Sequence, residues 1–178
     1  MEEDEKEHRF RREIVKEMAR LGFFGCIAPE KYGGTESGYL AASVMTEEIA
    51  RISPSWGLPF NLQMNSIQSV LLNFGTEQQR ERWIPKLINA DLLGCFAITE
   101  ANTGSDVASM KSTAVESEGG FVLNGTKMWI SGVPVADLGI VYVYTDKAAK
   151  HRGMSAFIVD MHAPGVTQKS IDSKLGLF

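Results

Sequence analysis

The chain has 178 residues, of which 44% are hydrophobic and 22% charged, a globular composition with enough apolar material for a packed core. A net charge of −4, with no long segment rich in Lys or Arg, argues against a nucleic-acid partner. No apolar stretch approaches the roughly 20 residues that span a membrane, and the acidic N-terminus differs from a signal or transit peptide. We therefore expect a soluble, intracellular protein.

The two cysteines, Cys26 and Cys95, are far apart in sequence and lie in apolar surroundings. Such cysteines are more often small buried hydrophobes than halves of a disulfide or nucleophiles. This interpretation fits a reducing compartment.

The first half of the chain predicts four helices, over residues 4–21, 40–52, 59–74 and 76–88. Apolar residues recur there at helical spacing. Thr76 and Gln79 form a capping-box pattern at the start of the fourth helix. The third helix carries amides and hydroxyls among its apolar residues. These indicate either the wall of a pocket or a helix end that faces water, and the sequence does not separate the two.

After residue 91 the periodicity changes to that of short strands, predicted at residues 93–98, 111–116, 121–123, 127–131, 138–145 and 155–159. The dipeptide Asn124-Gly125 predicts a two-residue hairpin turn. Short strands separated by turns favour an antiparallel barrel or sandwich. We therefore predict an α+β protein with a helical domain at 1–91 and a β-domain at 92–178. A polar, strand-like segment at 166–171 suggests that the sheet continues beyond the chain.

Residues 94–106 are the best candidate for a site, because an apolar strand there gives way to a loop of hydroxyls, a carboxylate, an amide and a glycine. Residues 128–132 form a second candidate, in which Trp129 stands two residues from Ser131 on one predicted strand face. The three histidines show no metal or triad spacing, and neither a nucleotide-binding glycine motif nor a serine-hydrolase elbow is present. Polar strand ends of an ordinary barrel explain the same residues equally well.

Four motifs change that balance. Residues 97–106, Ala-Ile-Thr-Glu-Ala-Asn-Thr-Gly-Ser-Asp, resemble the Thr-Glu-Pro-x-x-Gly-Ser-Asp signature of the acyl-CoA dehydrogenases, and residues 124–131 resemble their Asn-Gly-x-Lys-x-Trp-Ile-Thr motif. The segments at 29–34 and 74–80 are similar to that family as well. The four motifs occur in the family's order and cover nearly the whole chain.

The resemblance implies a fold of an N-terminal helical domain, a middle β-domain and a C-terminal four-helix domain, the last absent from this chain. It also implies FAD as cofactor and no metal. Thr99 would hydrogen-bond the pyrimidine side of the flavin, Trp129 would shield the ring and Ser131 would reach N5. Ser105 would lie where the FAD pyrophosphate meets the thioester arm of the substrate. The resemblance assigns to the cofactor Phe96, Ile98, Thr99, Gly104, Ser105, Trp129, Ile130 and Ser131.

Two residues depart from the family pattern. Ala101 replaces the usual proline, which removes a fixed φ from the loop, and Ser131 replaces threonine but keeps the hydroxyl. Neither change removes a hydrogen-bonding group.

The reaction implied is α,β-dehydrogenation of an acyl-CoA, with electrons passing to an electron-transfer flavoprotein, in the degradation of fatty or other carboxylic acids. The family's catalytic Glu lies in the C-terminal domain. We therefore assign no catalytic residue in this chain and expect it to be inactive alone. The complete protein is expected to be a homotetramer or homodimer, located in the cytoplasm or the mitochondrial matrix.

The substrate residues expected by position are Ser105 with Leu62, Gln63 and Ser66 of the third helix. Residues 92–96 and 136–138 are similar to glutaryl-CoA dehydrogenases, which carry an Arg for the distal carboxylate near the start of this helix. No Arg or Lys occurs between residues 52 and 69, so we predict a neutral acyl chain. The alternatives are a flavin oxidase or monooxygenase on the same fold, and a non-catalytic acyl-CoA-binding or interaction protein.

Overall fold

The computed structural model describes residue 7 and residues 9–171. Its first part is helical, with α1 at Arg12–Arg20, α2 at Gly38–Ile52, α3 at Pro54–Asn61, α4 at Ser69–Phe74 and α5 at Glu77–Ile88. A π-helical segment, Leu62–Gln68, joins α3 to α4. Short 3₁₀ turns lie at Phe23–Gly25, Glu30–Tyr32, Val107–Ser109, Val133–Val135 and Lys150–Gly153.

The predicted helices are present, with different ends. The helix predicted at 4–21 starts only at Arg12 within the described residues, because Arg11 is extended and Phe10 packs on Trp56, with 5.2 Å between ring centroids. The third helix starts five residues earlier than predicted, at Pro54, since proline suits a first helical position that needs no N–H.

The capping box at the start of α5 is confirmed. The Gln79 amide donates to Thr76 Oγ1 at 3.2 Å, and the Thr76 amide donates to Gln79 Oε1 at 2.8 Å. Two of the amides that a helix start leaves without a partner are thus satisfied by each other's side chains.

The second part is a five-stranded sheet with β1 at Gly94–Ala97, β2 at Thr113–Ser117, β3 at Gly120–Asn124, β4 at Leu138–Tyr144 and β5 at Met154–Asp160. Strand β4 is central. It pairs in parallel with β1, antiparallel with β5 along its whole length, and in parallel with β2 at Tyr144 and Thr113. The order of helices followed by a sheet agrees with the prediction. The sheet is mixed rather than wholly antiparallel, because the β2–β3 hairpin intervenes and the chain returns to β1 in the same direction.

Three local predictions in the second half are wrong. The hairpin turn lies between Ser117 and Gly120, where Gly119 has φ +82°, and not at Asn124-Gly125. Residues 127–131 form no regular strand, and the Met128 amide donates to the carbonyl of Thr99 instead. Residues 166–171 are irregular, and the continuation of the sheet that was predicted beyond the chain lies outside the described residues.

The helices and the sheet share a core. One apolar cluster joins Ile67, Leu71 and Ile84 of the helices to Leu138 and Ile140 of β4. Gly94 packs so closely on the π-helical segment that a Cβ there would lie 2.7 Å from Ile67 Cγ1. The first residue of β1 is therefore placed directly against the helical layer.

Both cysteines are free and buried, as predicted. Burial raises the pKa of the Cys95 thiol to about 11, so this thiol is neutral near pH 7. In the described part of the chain, no helix is both long enough and apolar enough to cross a membrane.

Candidate functional site

The candidate site lies where two loops meet. One loop, residues 98–106, follows β1, and the other, residues 125–132, follows β3. The backbone amide of Met128 donates to the carbonyl of Thr99 at 2.9 Å. The two sequence motifs, about 25 residues apart, therefore form one surface.

The first loop contains a tight turn. The Glu100 amide donates to the Thr103 carbonyl at 3.0 Å, and the Thr103 amide donates back to the Glu100 carbonyl at 3.1 Å. Ala101, the position where the family pattern has proline, lies inside this turn. Because two backbone hydrogen bonds close the turn, the missing proline does not leave the loop open.

The Glu100 carboxylate is the hub between the loops. It is 8% exposed, and its Oε1 accepts a hydrogen bond from Lys127 Nζ at 2.9 Å. Its oxygens also accept from the amides of Lys111, at 2.7 Å, and Ser112, at 3.0 Å, and from the Ser112 hydroxyl. Lys127 Nζ donates in addition to the Ile98 carbonyl at 3.0 Å. We call this set of contacts the Glu100–Lys127 clasp.

Burial alone would raise the pKa of Glu100, but the hydrogen bonds from Ser112, Lys111 and Lys127 outweigh it and lower the pKa to about 2. The carboxylate is therefore charged at all physiological pH values. Because every donor around it stabilises the charged form, Glu100 is unsuited to act as a proton acceptor.

We expect this carboxylate to make stability depend on pH. Its folded pKa, about 2, lies below an unfolded value of about 4.3. Its contribution is therefore fully present above about pH 5 and is lost as the pH falls through the window down to about 2. The difference in free energy of unfolding between the wild type and Glu100→Gln should shrink by on the order of 3 kcal/mol between pH 6 and pH 2. Urea unfolding at both pH values measures it, and a constant difference would contradict the prediction.

The second loop reaches the clasp through a close approach at Gly125. A Cβ at this position would lie 2.0 Å from Ser112 Oγ and 2.4 Å from Ser112 Cβ. Glycine is thus required where the chain leaving β3 passes the start of β2. Sequence reasoning assigned Gly125 to a hairpin turn, whereas its role is steric clearance.

Trp129 is held in an unusual conformation. Its φ is +61°, a value that bulky residues rarely adopt, and its side chain is 59% exposed. Gly132 follows with φ +76°. A left-handed turn at a large exposed aromatic is typical of segments that the surrounding structure holds for a ligand.

The predicted cofactor residues fall into three groups. Thr99, Trp129, Ile130 and Ser131 lie on the facing loops, and in the described part of the chain the hydroxyls of Thr99 and Ser131 have no hydrogen-bond partner. Gly104 and Ser105 lie farther along the first loop and are exposed. Phe96 of β1 and Ile98, the first residue after that strand, are half-buried, and the Phe96 ring packs on Tyr142 with 5.2 Å between centroids.

The predicted substrate residues differ in their surroundings. Gln63 is buried and fixes the helices to β1, since its Nε2 donates to the carbonyls of Leu87 and Leu92 and its Oε1 accepts from the Gly94 amide at 3.0 Å. Leu62 and Gln63 border an uncharged cavity of about 30 Å³ that also touches Gly132 and Val135. Ser66 does not border it. A cavity of this size holds one small group, not an acyl chain.

A partly buried carboxylate, Asp137, lies at the opposite end of β1. It accepts hydrogen bonds from the Leu93 amide at 2.8 Å and from Arg12, and it contacts His162 Nε2 at 3.2 Å. Burial alone would raise the pKa of Asp137, but these partners lower it. Among the described residues, no group of three His, Cys, Asp or Glu side chains could hold a metal ion.

Sequence reasoning missed the clasp. It placed Glu100 and Lys127 in their motifs without predicting that they meet, and it did not single out Ser112. The charged pair was visible only as two motif residues 27 positions apart. Nothing in periodicity or composition relates residues that distant.

The fold and the site define a helical domain joined to a mixed sheet, with one surface made by two loops of the sheet. Residues 1–91 match the family description "Acyl-CoA dehydrogenase, N-terminal domain", and residues 95–177 match "Acyl-CoA dehydrogenase, middle domain". The chain belongs to the acyl-CoA dehydrogenase family.

Individual relatives agree with this assignment. The chain is 43% identical over 176 residues to the glutaryl-CoA dehydrogenase of Desulfococcus multivorans, covering 97% of this chain and 45% of that protein. It is also 43% identical over 169 residues to the mitochondrial isovaleryl-CoA dehydrogenase of Pongo abelii, covering 93% and 40%. The chain thus spans less than half the length of these curated relatives.

Solved structures share the fold. A glutaryl-CoA dehydrogenase in complex with glutaryl-CoA superposes with a TM-score of 0.81 at 45% identity, covering 85% of this chain and 39% of that chain. An acyl-CoA dehydrogenase from Bacillus anthracis complexed with FAD gives 0.84 at 32% identity, covering 92% and 27%. A chain in a structure described as the electron transferring flavoprotein of Acidaminococcus fermentans gives 0.89 at 30% identity, covering 92% and 43%.

Proposed function

We propose that this chain is the N-terminal and middle part of an FAD-dependent acyl-CoA dehydrogenase, which removes hydrogen from the α and β carbons of an acyl-CoA thioester. One observation carries the proposal. The loops after β1 and β3 meet through the Met128–Thr99 hydrogen bond and bring Thr99 next to the segment that carries Trp129 and Ser131.

The residues of the two loops fit a flavin. A planar ring with polar edges needs an aromatic or apolar face to exclude water and a few fixed hydrogen-bonding groups at its heteroatoms. Trp129 offers an exposed indole, and the hydroxyls of Thr99 and Ser131 have no partner among the described residues. When bound, FAD supplies the acceptor for the hydride that leaves the β carbon. The FAD complex of the Bacillus anthracis relative supports this cofactor.

The carboxylates of Glu100, Glu77 and Glu48 are unsuited to remove the α proton. Glu100 is committed to the clasp, and Glu77 accepts hydrogen bonds from Lys31 and Tyr32, both at 2.8 Å. Glu48 pairs with Arg51 on α2. We infer that the base comes from sequence beyond these 178 residues, so that the isolated chain binds or positions ligands without turnover.

We infer a neutral acyl chain as the substrate. The two curated relatives that are each 43% identical differ on this point, since one is a glutaryl-CoA and the other an isovaleryl-CoA dehydrogenase. Residues 52–69, which form α3 and the π-helical segment, contain no Lys or Arg to meet a distal carboxylate. An unpaired carboxylate beside this uncharged surface would lose its hydration without compensation.

The electron acceptor, the assembly and the domain boundary complete the proposal. We infer electron-transfer flavoprotein as the partner that reoxidises the flavin, because a chain of the Acidaminococcus fermentans structure shares this fold. A homo-oligomer, with the boundary between the helical and β-domains near residue 91, remains our expectation.

The visible spectrum of the complete, purified protein tests cofactor and substrate together. We expect a flavin absorption band that is bleached by straight or branched neutral acyl-CoAs and much more slowly by glutaryl-CoA. The 178-residue chain alone, with added FAD, should produce no bleaching with any acyl-CoA and serves as the control.

Each proposed feature has its own contradicting result. Bleaching by glutaryl-CoA at the rate of the neutral substrates would contradict the neutral acyl chain. Rapid reoxidation of the reduced protein by oxygen would favour a flavin oxidase or monooxygenase. A complete protein that binds no flavin would favour the non-catalytic alternative.

A further inference from the structure

Consecutive residues of one loop are tied to consecutive residues of the other. Lys127 Nζ contacts the Ile98 carbonyl and the Glu100 carboxylate, at 3.0 and 2.9 Å, while the Met128 amide contacts the Thr99 carbonyl at 2.9 Å. Three residues in a row on the first loop are thus held by two in a row on the second. This arrangement fixes the register of the loops as a short strand pairing would.

Thr99 and Trp129, which we propose contact the flavin, lie immediately beside these hydrogen bonds. Thr99 is enclosed between the two residues that Lys127 holds, and Trp129 follows directly after Met128. Any change in the length or angle of the clasp therefore moves the Thr99 hydroxyl relative to Trp129 and Ser131. Trp129, whose φ is left-handed, is the residue directly after the Met128–Thr99 hydrogen bond.

The clasp is anchored to the sheet. Glu100 accepts hydrogen bonds from the amides of Lys111 and Ser112, the two residues before β2 begins at Thr113. Thr113 pairs with Tyr144 of the central strand β4. A side chain on a loop is mobile by default, whereas one held from the end of a paired strand is not. The two loops therefore take their position from the sheet through one carboxylate.

We propose that Glu100 and Lys127 are positioning residues, which set the spacing between Thr99 and the Trp129–Ser131 segment and thereby the position of the flavin ring. This inference rests on the proposed function. Both side chains are enclosed in the clasp, Lys127 at 11% and Glu100 at 8% exposure. They act through the loop backbone and through the hydroxyls and the indole that it carries.

A purely structural role makes a different prediction. If the network only neutralised two buried charges, breaking it would lower thermal stability and leave flavin binding unchanged at temperatures where the protein is folded. Asp137 provides the matched control, because it is a carboxylate with a side chain only 13% exposed that also accepts hydrogen bonds from a backbone amide and an Arg, at the far end of β1.

The experiment compares Lys127→Met, Glu100→Gln and Asp137→Asn in the complete protein. Flavin fluorescence gives the dissociation constant of FAD, and the visible spectrum reports the surroundings of the ring. We expect the two clasp variants to weaken FAD binding about tenfold or more and to shift the flavin band. Asp137→Asn should lower the melting temperature with an unchanged dissociation constant and spectrum.

Lys127→Arg keeps the test decisive if the stronger variants do not fold. It retains the charge but replaces a compact ammonium by a planar fork, so the loop spacing changes while the ion pair persists. We expect a smaller shift of the dissociation constant and spectrum in the same direction. Wild-type values for Lys127→Arg, or clasp variants that lose stability but bind FAD like the wild type, would overturn the positioning role.

The two proposals fail in distinguishable ways. A wild-type protein that binds no FAD overturns the proposed function and, with it, the positioning role. A wild type that binds FAD and is bleached by acyl-CoA, together with clasp variants that bind FAD unchanged, overturns the positioning role alone.

Discussion

Glu100→Gln is expected to lower the free energy of unfolding by about 4 kcal/mol at pH 7, because it removes one member of a buried, hydrogen-bonded ion pair. Four donors face this carboxylate: Lys127 Nζ, the Lys111 amide, and the amide and hydroxyl of Ser112. Glutamine keeps one acceptor oxygen but turns an NH₂ group towards donors. Urea unfolding of the wild type and the variant measures the change.

Replacing the partner, Lys127, should lower the free energy of unfolding less than replacing Glu100. Lys127→Met leaves the carboxylate with its three donors from Lys111 and Ser112, so we expect a loss of about 3 kcal/mol, and the double variant should lose less than the sum of the two. The exposed pair Lys31–Glu77, at 2.8 Å, is the control, and Glu77→Gln should change stability far less. A larger loss of unfolding free energy for Lys127→Met than for Glu100→Gln would contradict the conclusion that the carboxylate is the centre of this hydrogen-bond network.

Gly125→Ala is the second variant with a large expected effect. Its Cβ would lie 2.0 Å from Ser112 Oγ, so either the second loop or the start of β2 must shift. We expect a loss of about 2–3 kcal/mol, since overpacking of a fixed contact forces backbone movement. Thermal or urea unfolding measures it.

Gly120→Ala is the matched control for this variant. Gly120 is the first residue of β3, whereas Gly125 directly follows its last residue, and no heavy atom lies within 4 Å of the position of a Cβ at Gly120. Gly120→Ala should be nearly neutral. Equal losses for the two variants would show that the effect comes from the loss of a glycine at either end of β3 and not from contact with Ser112.

The helical half shows what local sequence determines well. The repeat of apolar residues located the four helical segments that were predicted, and Thr76 with Gln79 predicted a cap whose two hydrogen bonds the structure contains. These signals act over three or four residues, within the reach of one helical turn. Helix ends were less predictable. The start of α1 depends on Phe10 meeting Trp56, which is distant in sequence.

The sheet shows where local signals fail. Asn124-Gly125 is a strong hairpin signal, yet the turn forms one strand earlier, because Gly125 is needed for its closeness to Ser112. Residues 127–131 alternate like a strand, but the clasp and the Thr99 carbonyl hold their backbone instead. Long-range hydrogen bonds override intrinsic β-propensity, which depends strongly on context.

By itself, the sequence determined the order of helices and sheet and, through four motifs, the family. It also located both loops of the candidate site, since motif residues are consecutive and need no knowledge of the fold. Only the tertiary structure decided that these loops meet and that Glu100 joins them to β2 through Lys127 and Ser112. The physical reason is that a buried charge must find its partners in three dimensions, and the spacing of residues along the chain does not record where those partners lie.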